Sequence, residues 1–106
     1  MGLFTFLRSP DINEGVNNFN STQGAVLLDV RTPEEFKEGH IPGSKNVPLQ
    51  TIERVANIIE DKNTPIFVHC LSGGRSGQAA SVLEKMGYNN VINIGGISAY
   101  RGKVER

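Results

Sequence analysis

The chain has 106 residues, room for one domain and one core, and no second core fits. Apolar residues make up 38% of it, too many for a disordered chain. Eleven Lys and Arg balance eleven Asp and Glu, so neither nucleic acid nor an anionic membrane is the expected main partner.

The opening residues, Met1 to Arg8, lack a basic start, a long apolar stretch and a small-residue cleavage site, so no secretory signal is expected. Gly2 is not followed by Ser or Thr at the sixth position, which argues against myristoylation. Leu3 to Leu7 reads as a short edge strand. Ser9-Pro10 reads as a helix cap followed by proline at the first helical position. The helix after it is expected to be weak, because Asn17, Asn18 and Asn20 favour turns. Ala25 to Val30 is a short apolar run, the mark of a strand covered on both faces. Thr32-Pro-Glu-Glu35 opens a helix with a hydroxyl cap, a proline and a carboxylate three residues on.

Gly39 to Gly43 reads as a loop, and Ser44 to Pro48 as a short strand. Thr51 to Glu60 is amphipathic, with Ile52, Val55, Ala56 and Ile59 on one stripe. Pro65 to Cys70 is a second buried strand. Leu71 to Arg75 is a Gly-rich loop, and Ser76 to Met86 a helix stopped by Gly87. Val91 to Ile94 is a third apolar strand, ended by Gly95-Gly96, and Tyr100 to Arg106 is a polar, half-ordered tail. Strands alternating with helices predict an α/β domain over 1–106, with its core at about 9–100, a mainly parallel sheet and helices on both faces. No apolar run approaches the roughly 20 residues of a membrane span.

Cys70 is the single cysteine, so no intramolecular disulfide forms, and the cytoplasm is the expected compartment. Only Cys70, His40 and His69 could supply nitrogen or sulfur to zinc. His69 and Cys70 point to opposite faces of a strand, so no metal is expected. Ligands of parallel sheets bind outside the carboxyl ends of strands, and Cys70 stands at such an end. Cys70-Leu-Ser-Gly-Gly-Arg-Ser76 follows it. Gly73 and Gly74 let a loop curl round the sulfur, backbone N–H groups point inward, and a helix dipole and Arg75 add positive charge. All of these favour the thiolate, the nucleophilic form. The competing reading is a small buried hydrophobe, as many free cysteines are. A place between a strand and a Gly-Gly-Arg loop favours the nucleophile.

Asp29-Val-Arg-Thr-Pro-Glu-Glu-Phe36, Gly39-His-Ile-Pro-Gly-Ser44, the Cys70 loop and Gly95-Gly96 together resemble a single-domain rhodanese over about four fifths of the chain. The resemblance implies a three-layer rhodanese-like domain and a sulfurtransferase. Such an enzyme takes sulfane sulfur from a donor such as thiosulfate or a persulfide. It holds the sulfur as a persulfide on Cys70 and passes it to cyanide, a thiol or the cysteine of a partner protein. It implies no cofactor. The backbone of Leu71, Ser72, Gly73, Gly74, Arg75 and Ser76 would bind the persulfide's charge. Asp29 and Arg31 would lie near the rim of the same site, where an ion pair bracing the loops ranks ahead of direct catalysis. Arg75 is read as facing the sulfur rather than bracing the loop through a carboxylate such as Asp29.

His40 reads as a structural hydrogen-bonding residue, and His69 as a satisfied strand histidine facing away from the nucleophile. Glu34, Glu35, Lys37 and Glu38 read as a solvated helix face, and Ile52, Val55 and Ile59 as core. The chain departs from the family in having Ile97 where tryptophan is frequent, and Leu71 and Ser72 where basic residues occur. One rival is a phosphatase or arsenate reductase of related fold. Cell-cycle phosphatases of that fold place five residues between Cys and Arg, whereas this loop has four, and only Asp29 or Asp11 could serve as the acid. Another rival is a non-enzymatic module that relays sulfur to, or docks on, a partner protein.

Overall fold

A computed structural model describes residues 10–106, so the strand expected at Leu3 to Leu7 lies outside the described residues. Helix α1, Ile12–Asn20, leads into strand β1, Val26–Asp29, and then helix α2, Pro33–Glu38. Strand β2, Ser44–Asn46, is followed by a 3-10 helix, Leu49–Asn57. Strand β3, Ile66–Cys70, helix α3, Gly74–Lys85, strand β4, Val91–Gly96, and a 3-10 turn, Ile97–Ala99, complete the order.

The four strands form one parallel sheet in the order β2-β1-β3-β4. Alternation of side chains splits the core into two clusters, one on each face. Leu28, Val30, Ile66, Val68 and Cys70 pack with Ile52 and Val55 of the 3-10 helix and Ala79 and Leu83 of α3. Leu27 and Phe67 face the other way, against Ile12 and Val16 of α1. The sheet is thus covered on both faces, and β1 and β3 are buried for that reason.

Local chemistry sets most boundaries. Thr32 and Glu35 form a reciprocal capping box at α2, as the spacing predicts. Helix α1 starts elsewhere than expected: its cap is Asp11, whose carboxylate accepts from the Asn13 amide. The Asp11 oxygen there meets a free N–H group of the first turn. The three asparagines stay helical. After them the Ser21 hydroxyl donates to the Asn17 carbonyl and the Thr22 hydroxyl to that of Asn18, so the turn-forming chemistry acts at the helix end.

The stripe predicted for Thr51 to Glu60 is corrected at one residue. Ile52, Val55 and Ile59 are buried, but Ala56 is exposed. The segment is a 3-10 helix, so residues three apart share a face and Ala56 falls off it. Among the described residues strand β4 lies at the edge of the sheet with Ile92 exposed, and it runs on through Gly95 and Gly96, with an irregular register opposite Val68 and His69. The tail is tied down: the Arg101 amide donates to Asn13 Oδ1 at 2.9 Å, and the backbones of His40 and Glu105 exchange two hydrogen bonds of 2.8 Å.

Candidate active site

Cys70 ends β3, and the chain turns at once into α3. The helix begins at Gly74, two residues before the predicted start, so Arg75 stands in its first turn. Of the two loop glycines only Gly73 adopts positive φ, at 111°, as the cap residue of α3. The loop is held against β4. The Ser98 amide donates to the Leu71 carbonyl at 3.1 Å, and Gly96 lies under Leu71 and Ser72 with no room for a side chain.

The sulfur is enclosed and polar-lined. Cys70 is 1% exposed, as an inert core thiol would be. Its contacts differ from those of an inert thiol. The Gly73 N–H donates to Sγ at 2.9 Å, and the Ser76 hydroxyl lies 3.4 Å from it. Burial pushes the thiol up. The Ser76 hydroxyl and the amides of Ser76, Gly73 and Ser72 outweigh that push, and the thiol titrates below its usual value. A cavity of about 330 Å³ opens beside the loop, lined by Ser72, Gly73, Asn93, Gly95, Gly96 and Ser98 among others. Such a pocket admits a small molecule or a peptide tip to the loop.

Arg75 does not take the position read for it. Its guanidinium forks onto Glu35 of α2, with contacts of 2.8 and 3.1 Å. Glu35 therefore leaves the solvated face on which it was placed: it ties the capping box of α2 to the first turn of α3. The Glu35 carboxyl is held at about 2, mainly by the Arg75 hydrogen bond, against its burial and with help from Thr32. Arg75 is raised in turn, first by Glu35 and to a lesser degree by the Cys70 thiolate. The guanidinium thus braces the loop while remaining within electrostatic reach of the sulfur. The brace joins Glu35 to Arg75, not Asp29 to Arg75.

This pair predicts a pH dependence. Glu35 titrates lower in the folded chain than its ordinary 4.5, so its contribution is complete above about 4.5 and is lost as pH falls towards 2. Glu35→Gln should melt a few degrees below the natural protein at pH 7. The gap should close between pH 4.5 and 2, as followed by circular dichroism. A gap that stays constant over that range would contradict the pairing.

Asp29 and Arg31 lie beneath the rim rather than on it. Asp29 is fully buried and Arg31 is 5% exposed. Arg31 Nη2 donates to Asp29 Oδ2 and to the Gly39 carbonyl, both at 2.7 Å, and Nε donates to the same carboxylate. The pair fixes the chain after β1 against the Gly39 turn, the bracing role that ranked first. His40 stacks on Phe36 at 3.8 Å between ring centroids, and its Nδ1 lies 2.9 Å from the Phe36 carbonyl.

His69 is corrected in one respect. It faces away from Cys70, on the Asp29 side of β3, but it is not satisfied. Nδ1 donates to the Cys70 carbonyl at 3.2 Å, and Nε2 has no hydrogen-bond partner among the described residues. Asp29 Oδ2 is 3.7 Å from Nε2, too far for a hydrogen bond. Burial lowers the His69 pKa against the pull of Asp29, so the ring is neutral at pH 7.

One residue of the site escaped sequence reasoning. The Asn93 carboxamide oxygen accepts from the Ser76 hydroxyl at 2.7 Å and from the Gly95 amide at 3.0 Å. Asn93 links β4 to α3 behind the sulfur. Its only signal in the sequence is a polar side chain inside the apolar run Val91 to Ile94.

Residues 13–103 match the model of the Rhodanese-like domain family. The chain is 44% identical over 71 residues to thiosulfate sulfurtransferase PspE of Escherichia coli, covering 66% of this chain and 68% of that one. It is 39% identical over 87 residues to the putative sulfur carrier protein YrkF of Bacillus subtilis, covering 81% of this chain but spanning only 46% of that protein. A rhodanese-like domain protein from Staphylococcus aureus superimposes with a TM-score of 0.79 at 31% identity, covering 92% of this chain and 96% of that one.

Proposed function

Because the chain belongs to the rhodanese-like family, we propose that it is a sulfurtransferase whose sulfur travels through a persulfide on Cys70. The observation that carries this reading is the sulfur's setting. A thiol at the end of a buried strand meets the Gly73 N–H, the Ser76 hydroxyl and the start of α3, and is shifted towards thiolate.

The reaction divides into two displacements. The Cys70 thiolate attacks the sulfane sulfur of the donor. A new S–S bond forms, and the bond from that sulfur to the rest of the donor breaks. The departing group keeps the electron pair, leaving as sulfite from thiosulfate or as a thiolate from a persulfide. The acceptor, cyanide or a thiolate, then attacks the terminal sulfur, and Cys70 departs as thiolate. The amides about the loop stabilise the negative charge in each state. No second cysteine is present to resolve the persulfide, so the acceptor comes from outside.

The Arg75–Glu35 pair bears on the donor. Arg75 is the loop's one basic side chain, and its charge is balanced by Glu35. A doubly charged donor such as thiosulfate gains less from a balanced cation than from a free one, whereas a persulfide needs that charge less. This favours persulfide donors, and it leaves room for a partner protein's cysteine as donor or acceptor. The likeness to a putative sulfur carrier protein supports the same direction. A cytoplasmic setting fits a single free thiol. Among the described residues no helix is long and apolar enough to cross a membrane.

Phosphoryl transfer is the weaker reading. It requires an acid for the leaving group. Asp29 is buried under Arg31, and Asp11 caps α1.

Steady-state kinetics test the scheme. With a sulfane donor varied against cyanide or a small thiol, double-reciprocal plots should give parallel lines, because the first product leaves before the acceptor reacts. Intersecting lines would mean that donor and acceptor meet in one complex, contrary to the proposal.

A further inference from the structure

The Ser76 hydroxyl has one proton and three acceptors in reach: Asn93 Oδ1 at 2.7 Å, the Gly73 carbonyl at 3.0 Å and Cys70 Sγ at 3.4 Å. The Gly73 carbonyl already accepts from the Gly77 amide at 3.1 Å. The orientation of the Asn93 amide is fixed independently. The Gly95 N–H points at it and can only meet an oxygen, so Asn93 faces Ser76 as an acceptor too.

We propose that Asn93 is a positioning residue for the nucleophile, its carboxamide oxygen competing with the Cys70 sulfur for the one proton of the Ser76 hydroxyl and so setting how readily the thiolate forms. When Cys70 is a thiol, its S–H donates to Ser76 Oγ and the Ser76 O–H donates to Asn93. When the thiol proton leaves to solvent, the Ser76 O–H rotates and donates to Sγ. No bond of the hydroxyl breaks. Asn93 Oδ1 is not orphaned by the change, because the Gly95 N–H remains on it. Asn93 is half-buried, so its oxygen keeps a protein donor in both states and the rotation costs little. In the persulfide the charge sits on the terminal sulfur, and the hydroxyl returns to Asn93.

The charged groups about the sulfur do not supply this effect. Strand β4 carries no titratable side chain. Helix α3 contributes Arg75, paired with Glu35 of α2. On the far face of the sheet lie His69 and the Asp29–Arg31 pair. None of them hydrogen-bonds to Ser76 or Asn93.

The inference rests on Cys70 being the sulfur carrier, and its test reads the thiol without sulfur transfer. The rate of alkylation by iodoacetamide is followed against pH in the natural protein, Ser76→Ala, Asn93→Ala and the double variant. Ser76→Ala should raise the midpoint, since a donor to the thiolate is lost. Asn93→Ala should lower it by about half a pH unit, since the competing acceptor is gone. In the Ser76→Ala background Asn93→Ala should move nothing. Equal shifts in both backgrounds, or a raised midpoint in Asn93→Ala, would reduce Asn93 to a structural residue and overturn the proposal.

If Asn93→Ala does not fold, the natural protein supplies the second measurement. The Gly95 amide proton resonance should move with the same midpoint as alkylation, and should lose that step in Ser76→Ala. A flat resonance in the natural protein would overturn the proposal as well. Sulfur transfer by Cys70→Ser would instead reject the reading beneath it.

Discussion

Cys70→Ser should reduce sulfur transfer at least about a thousandfold while leaving the fold intact. The two halves of this expectation have separate causes. Turnover fails because an alkoxide is not available at neutral pH and a serine oxygen forms no bond equivalent to the persulfide. The fold persists because a hydroxyl at that position still meets the Gly73 N–H and the Ser76 hydroxyl, so no buried polar atom is orphaned. The melting temperature should stay within a few degrees of the natural value. A variant that transferred sulfur at the natural rate would remove Cys70 from the mechanism.

Gly96→Ala should damage both stability and transfer. The added methyl would lie 2.6 Å from Ser72 Cα and closer still to the Leu71 carbonyl oxygen. Both are backbone atoms, so no flexible side chain can swing aside. The loop must move off β4, breaking the bond from the Ser98 amide to Leu71 and shifting the amides that face the sulfur. Overpacking of this kind costs about 1–3 kcal/mol. A displacement near 1 Å at a reacting group costs about 100-fold in rate. Gly74→Ala is the contrasting case. It lies in the first turn of α3, its φ is not positive, and an added methyl would meet nothing within 4 Å among the described residues. That variant should keep its activity and gain up to about 1 kcal/mol from the helix preference for alanine. Thermal melts and transfer rates of the two variants, measured together, check the expectation. Similar behaviour of both would show that close approach of β4 does not position the loop.

The sequence was most legible where structure depends on neighbours along the chain. The capping box at Thr32 and Glu35, the buried runs that became β1 and β3, and the stop at Gly87 are all local. Strands alternating with helices carried the parallel α/β architecture, and the parallel sheet and the structural likeness to a rhodanese-like domain protein bear that out. Errors arose where two local signals competed or where the partner lay far off. Ser9-Pro10 looked like a cap, but the helix starts at Ile12 with Asp11 as its cap. An α-helical period placed Ala56 inside, whereas the 3-10 period turns it out.

The site shows the same division. The cysteine, its glycines and the helix that follows are contiguous, so their meeting could be read from order alone. Arg75 and Glu35 are 40 residues apart, and nothing in either neighbourhood announces the other. A glutamate already used in a capping box gives no sign of a second partner. Asn93 is hidden for the same reason: it reaches Ser76 from a neighbouring strand, across 17 residues of sequence.

Intact-mass spectrometry tests the central claim most directly. The natural protein is mixed with a sulfane donor, thiosulfate in one arm and a small persulfide in another, and freed of excess donor before its mass is read. It should gain the mass of one sulfur atom, lose it again on addition of a thiol or cyanide, and gain nothing when Cys70 is replaced by serine. A natural protein that never becomes heavier with either donor, or a Cys70→Ser protein that gains the same sulfur, would contradict a persulfide carried on Cys70.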